Sequence, residues 1–171
     1  MKRISATAVT TLFFFLAPGT VAVLVPWLIS GWRRNYPFWD STPLRILGAL
    51  LLTAGTAGLL DCFTRFVRKG RGTPAPFFPT ETLVVTGLYR FVRNPMYVAI
   101  LAMLLGQVLC FGNVSLLVYT AGAWLASHLF VCLYEEPTLR RTYGSQYDRY
   151  RDHVPRWLPR FTPWRGSDGS P

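Results

Sequence analysis

From Asn94 to Tyr134 the chain runs for 41 residues without a charged side chain, and this run constrains the fold more than any other feature. As a single helix it would extend about 60 Å at roughly 1.5 Å per residue, twice the hydrocarbon thickness of a bilayer. It must therefore double back. Gly112-Asn113 is its only polar, turn-prone interruption, and it divides the run into Pro95–Phe111 and Val114–Tyr134. The expectation is a tight helical hairpin with almost no exposed loop.

Composition agrees with a membrane setting. Hydrophobic residues make up 51% of the 171 and charged residues only 15%, whereas a soluble domain carries about 25%. Such hydrophobicity excludes a disordered chain and argues against an ordinary soluble domain. Eighteen Lys and Arg against eight Asp and Glu leave a formal charge of +10, which could suggest nucleic acid. That reading needs the charges to line one soluble face. Here they are segregated between long uncharged runs, so no nucleic-acid partner is expected.

Two more runs precede the hairpin. Ile4–Trp32 is uncharged over 29 residues, long enough to span, with Pro18-Gly19 and Pro26 expected to kink it. Met1-Lys2-Arg3 resembles the basic start of a signal peptide, but the run exceeds the usual apolar region of such peptides, which favours a retained span. Leu44–Phe63 is the next candidate. Its one acid, Asp61, stands four residues before Arg65, which favours a pair on the helix surface over a functional acid. The expected fold is an all-α integral membrane protein with about four transmembrane helices, near 5–29, 44–64, 95–111 and 114–134, ending in a helical hairpin and a cytosolic amphipathic helix.

Basic residues suggest the orientation. Arg65, Arg68, Lys69, Arg71, Arg90 and Arg93 lie between the second and third spans, and seven arginines from Arg140 to Arg165 follow the fourth. Positive residues favour the cytoplasmic side, so both connections and both termini are expected there. Arg33 and Arg34 fall on the opposite side and are discordant. Cys62, Cys110 and Cys132 show no metal-ligand spacing with His128 or His153 and read as small buried apolar residues, so no metal is expected. The tail 162–171 reads as flexible.

Three segments carry potential chemistry. Between the second and third spans, Arg71–Pro79 contains Gly72, Pro74, Pro76 and Pro79, which prevent a regular helix and predict a loop. Further on, Asn94 suits a helix N-cap and Pro95 the first helical position, with Arg90 and Arg93 beside a helix start that can receive an anion. Plain capping and charge anchoring explain the same residues. Glu135-Glu136 precede Pro137; they either oppose the dipole of the fourth helix or begin a new one. The hairpin returns both acids to the face that holds Arg90, Arg93 and Asn94, where a zwitterionic ligand with a separate positive centre would fit. Finally, Leu139, Tyr143, Tyr147, Tyr150 and Val154 recur at helical spacing, predicting an amphipathic helix with its tyrosines at headgroup level and a kink or close approach at Gly144.

Taken together, Gly87-x-Tyr89-Arg90-x-x-Arg93-Asn94-Pro95-Met96-Tyr97 and Glu135-Glu136-x-x-Leu139-x-x-x-Tyr143-Gly144-x-x-Tyr147-x-x-Tyr150-x-x-x-Val154-Pro155-Arg156-x-x-Pro159 resemble the isoprenylcysteine carboxyl methyltransferase and phospholipid methyltransferase superfamily. The likeness covers about residues 70–161, which would form the catalytic core. It implies a membrane enzyme that transfers a methyl group from S-adenosylmethionine to a hydrophobic or lipidated acceptor drawn from the bilayer. By position, Tyr89, Arg90, Arg93, Asn94, Pro95 and Tyr97 would line the cofactor wall, Glu135 and Glu136 its acidic side, and Tyr147 the covering helix. No catalytic residue is assigned; Arg93 and Glu136 are candidates. Many members carry His where this chain has Asn94, which cannot titrate near neutrality, so positioning and desolvation are expected to dominate over a base there. Two other classes compete: an NADPH-dependent membrane reductase related to the sterol reductases, and a non-catalytic membrane scaffold.

Overall fold

The computed structural model describes residues 16–35, 41–69 and 83–165, and among these every regular element is helical. Helix α1 covers Leu16–Ser30, α2 Thr42–Lys69, α3 Pro95–Phe111, α4 Val114–Tyr143 and α5 Ser145–His153. Two of them, over Thr42–Arg65 and Val114–Tyr143, are long and apolar enough to cross a membrane; Leu16–Ser30 and Pro95–Phe111 are shorter apolar helices. The Arg71–Pro79 loop and the first part of the 5–29 span lie outside the described residues.

The hairpin turns where the polar interruption falls. Gly112 adopts φ +63° and closes α3 by donating its N–H to Val108 O, a conformation open to glycine at little cost. Asn113 then caps α4, its side-chain oxygen accepting from the N–H groups of Ser115 and Leu116. Asn35 N–H donates to Phe111 O, so the exit from α1 meets the hairpin turn.

Helices α2 and α3 pack backbone to backbone. A Cβ added at Gly48 would stand 2.8 Å from Gly106 O, and one added at Gly106 would stand 2.7 Å from Gly48 O. Gly55 meets Ala99 O in the same way, at 2.6 Å. Small residues permit this approach, which gains dispersion energy between the two helices. Cys110 Sγ lies 3.7 Å from Arg45 O, so the start of α2 sits beside the end of α3 and the two run antiparallel. At the other end of α2, Arg65 grips Asp61 through two hydrogen bonds of 2.8 Å, the surface pair that their spacing predicts.

Two differences from the sequence reading concern the C-terminal third. The tyrosine stripe is not a free face: Tyr147, Tyr150 and Val154 are buried, and Leu83, Val85, Leu139, Tyr143 and Trp164 pack against them. Segments from outside the amphipathic helix cover the stripe, and periodicity cannot report on such segments. At Gly144, where the sequence predicts a kink, a backbone at φ +52°, ψ −129° separates α4 from α5. The expected tail begins too early as well. Trp164 donates its N–H to Arg90 O at 2.9 Å and rests against Tyr150 and His153, so it belongs to the folded body.

Candidate functional site

The site forms where α3 begins and α4 loses its apolar character. Ahead of α3, Gly87–Arg90 makes one 3-10 turn entered by Gly87 at φ +61°. Ordinary side chains rarely adopt that conformation, and the Arg65 guanidinium lies directly over the space a Cβ would take. The segment then descends through Arg93 and Asn94 to Pro95 at the first turn of α3.

Asn94 occupies the cap position but its side chain makes no capping bond to α3. It is buried and donates through Nδ2 to Arg156 O at 3.1 Å. That bond ties it to the chain segment 154–164. This strap is stitched along the entry to α3. Arg93 N–H donates to Pro155 O, Arg160 N–H to Phe91 O, and Trp164 N–H to Arg90 O. The Tyr150 hydroxyl adds a bond of 2.7 Å to Tyr89 O.

In α4 a π-helical turn, Val131–Glu135, is inserted between Val114–Phe130 and Glu136–Tyr143, so Glu135 ends the turn and Glu136 follows it. Such a turn adds a residue to one turn of helix and re-aims the side chains beyond it. The two glutamates consequently face different partners. Glu135 accepts from the Tyr97 hydroxyl at 3.0 Å. Glu136 receives Arg156 through Nε at 2.7 Å and a second guanidinium nitrogen at 2.8 Å, and Arg93 reaches it at 3.2 Å. The acids neither end the fourth helix nor start a separate one, because α4 continues through them to Tyr143.

The arginines divide. Arg93 is almost fully enclosed, its side chain 9% exposed, and its Nε has no hydrogen-bond partner among the described residues. A buried guanidinium N–H left without an acceptor is costly, so its surroundings favour an incoming anion. Thr86 Oγ1 is likewise buried without a partner. Arg90 does not turn to the acids: its Nε donates to Trp164 O at 2.7 Å. Sequence spacing placed both arginines on one membrane face, but only the three-dimensional path of the strap shows which carbonyl claims Arg90.

Tyr147 stands at the far wall, accepting from Arg93 at 3.4 Å. Burial, reinforced by the Glu136 charge, pushes its hydroxyl up to about 12. Burial also drives the Tyr89 and Tyr150 hydroxyls well above their ordinary value, so all three are neutral at physiological pH. Arg156 is held more firmly protonated by its bond to Glu136.

Residues outside the sequence candidates complete the site. Trp157 packs edge-on to Tyr97 and donates its indole N–H to His128 Nδ1 at 3.1 Å. Trp124 stacks on His128. That bond places the imidazole proton on Nε2, toward Cys132 Sγ at 3.7 Å. Arg156 and Trp157 follow Val154-Pro155 and had no assigned role; their Pro-rich flanks signal an irregular segment but not what it meets.

Apolar helices, a charged cluster where the hairpin ends, and a covering strap define an all-helical protein of membrane type. The profile of the phospholipid methyltransferase family matches residues 44–146, more than half of the chain. This protein belongs to that family. Among curated proteins it is 35% identical over 78 residues to the protein-S-isoprenylcysteine O-methyltransferase of Schizosaccharomyces pombe, covering 45% of this chain and 33% of the other. It is 29% identical over 145 residues to the nickel-cobalt-cadmium resistance protein NccN of Alcaligenes xylosoxydans xylosoxydans, covering 85% of this chain and 63% of that one. The chain thus spans less than two thirds of either relative. No solved structure matches it.

Proposed function

We propose that this protein is a membrane methyltransferase that moves a methyl group from S-adenosylmethionine to a hydrophobic or lipidic acceptor. The observation that carries this reading is the division of charge at the head of the hairpin. On one side Arg93 has a buried, unpartnered Nε; on the other, Glu135 lies against Tyr97 with Trp157 beside it. A cofactor with a carboxylate, an amine and a sulfonium needs that polarity.

When bound, S-adenosylmethionine supplies an electrophilic methyl group on a sulfonium. The residues of the chain do the rest. Arg93 and the entry to α3, with Tyr89, Arg90, Asn94 and Pro95 forming its frame, hold the carboxylate end. Glu135 and Tyr97 hold the cationic side, where aromatic faces also favour positive charge. Tyr147 closes the far wall as a neutral hydroxyl. Asn94 donates to Arg156 O and cannot accept a proton, so rate enhancement comes from alignment and exclusion of water.

The acceptor enters from the bilayer. Leu125, Leu129 and Leu133 expose apolar surface along α4. The reading includes four spans with both termini and the site on the cytoplasmic side, supported by the excess of arginine around the site.

Purified protein in detergent, titrated calorimetrically with S-adenosylmethionine and separately with NADPH, tests the proposal. Saturable binding of the first is expected, with strong loss in Glu135→Ala. Binding of NADPH alone, or S-adenosylmethionine affinity indifferent to Glu135→Ala, would overturn it.

A further inference from the structure

The two adjacent glutamates have different jobs. Glu136 has committed both carboxylate oxygens: Oε1 to Arg93 and to Arg156 Nε, Oε2 to the second Arg156 nitrogen. Its side chain is 14% exposed, and one negative charge faces two guanidinium groups. The local sum is positive. A carboxylate so placed spends three of its roughly four acceptor sites on arginine, and the cluster around it repels a cationic centre.

The three partners come from three separate stretches of chain: the end of α4, the entry to α3, and the strap. Arg156 lies one residue beyond Pro155, whose carbonyl accepts from Arg93 N–H, and its own carbonyl accepts from Asn94 Nδ2. Glu136 therefore anchors the strap at the point where it crosses the α3 entry. Trp157 follows directly and reaches Tyr97 and His128.

We infer that Glu136 is a positioning residue, which through Arg156 and Arg93 locks the strap over the site and sets Trp157 against Tyr97, while Glu135 is the acid that meets the ligand. This rests on the methyltransferase reading for the ligand's identity, but the clamp itself is a statement about the chain alone. Burying a charge pair is expensive, and removing one partner leaves the others uncompensated, so loss of Glu136 should release the strap rather than merely weaken it.

The test combines amide hydrogen exchange of the full-length protein in detergent with calorimetric titration of S-adenosylmethionine. In Glu136→Ala and in Arg156→Ala, protection of the Arg93, Arg160 and Trp164 amides should fall by at least about tenfold, while amides of α2 and α3 stay protected. Cofactor affinity should fall by a similar factor in both variants, and Arg156→Lys should recover part of each loss. Glu135→Ala should abolish binding with the three amides still protected. The inference is overturned if Glu136→Ala abolishes binding without deprotecting the strap, or if Arg156→Ala leaves exchange and affinity at their starting values. Failure of the unmodified protein to bind S-adenosylmethionine would instead defeat the proposed function, while the exchange data would still judge the clamp.

Discussion

Gln107 on α3 donates through Nε2 to the main-chain carbonyl of Ala22 on α1 at 2.7 Å. Ala22 stands four residues before Pro26, which has no N–H to return, and Val21 stands five before it. The Val21 carbonyl is served from α4, by the Tyr119 hydroxyl at 2.9 Å. The helix is π-helical over Thr20–Leu24, so carbonyls at both spacings lose a donor at this proline. Two helices thus supply side-chain donors to main-chain carbonyls of a third beside its proline.

Replacing Gln107 by Leu should therefore loosen α1 from the hairpin. The loss should be about 1–3 kcal/mol, the cost of a buried polar group without its partner. Tyr119→Phe should cost less, about 0.5–1.5 kcal/mol for a single neutral bond. Thermal unfolding in detergent measures both, and a neutral Gln107→Leu would contradict the role.

The α2–α3 contact predicts a sharp contrast between glycines. Gly106→Ala places a methyl group 2.7 Å from the Gly48 backbone, so the helices must separate, at about 1–3 kcal/mol. Gly122 on α4 has nothing within 4 Å of the corresponding position, and Gly122→Ala should be neutral or stabilising. Comparing the two melting temperatures checks this.

Tyr97→Phe removes the hydroxyl that donates to Glu135 and leaves the ring beside Trp157. A bond to a charged group is worth about 1.5–3 kcal/mol, so cofactor affinity should fall roughly tenfold to a hundredfold. Titration of the variant with S-adenosylmethionine gives the factor directly.

Asn94→His should keep substantial activity. The imidazole can still donate to Arg156 O, and the proposed alignment requires no base at this position. A methylation assay against the unmodified protein tests it; abolition would show that the buried amide itself is needed.

Alkaline pH should report on Tyr147. Its hydroxyl is raised from 10.0 to about 12, so the folded chain holds the proton more tightly than the unfolded chain. The stabilisation is complete below pH 10 and is lost as pH rises toward about 12. Tyr147→Phe should flatten that part of the stability profile, measurable by denaturation at successive pH values.

What could be read along the chain was whatever depends on neighbours in sequence. The uncharged run demanded a hairpin, Gly112-Asn113 marked its turn, and the Asp61–Arg65 spacing gave its ion pair. Proximity of Arg93 to Glu136 followed from the hairpin returning both to one end. The limits lay in contacts between distant segments. Arg90 and Arg93 are three residues apart and equivalent in composition, yet one binds a main-chain carbonyl of the strap and the other a carboxylate.

Hydrophobic periodicity and helix-breaking residues are local properties, so the sequence by itself determined the helical class, the hairpin and the meeting of acids with arginine at one end. Which tyrosines are buried, which glutamate the arginines bind and which carbonyl Gln107 serves were decided only by tertiary structure. Each depends on a partner far along the chain: 85 residues between Gln107 and Ala22, 62 between Asn94 and Arg156. Hydrogen bonds are short-ranged and directional, and so no pattern of residue types specifies their partners before the chain has folded.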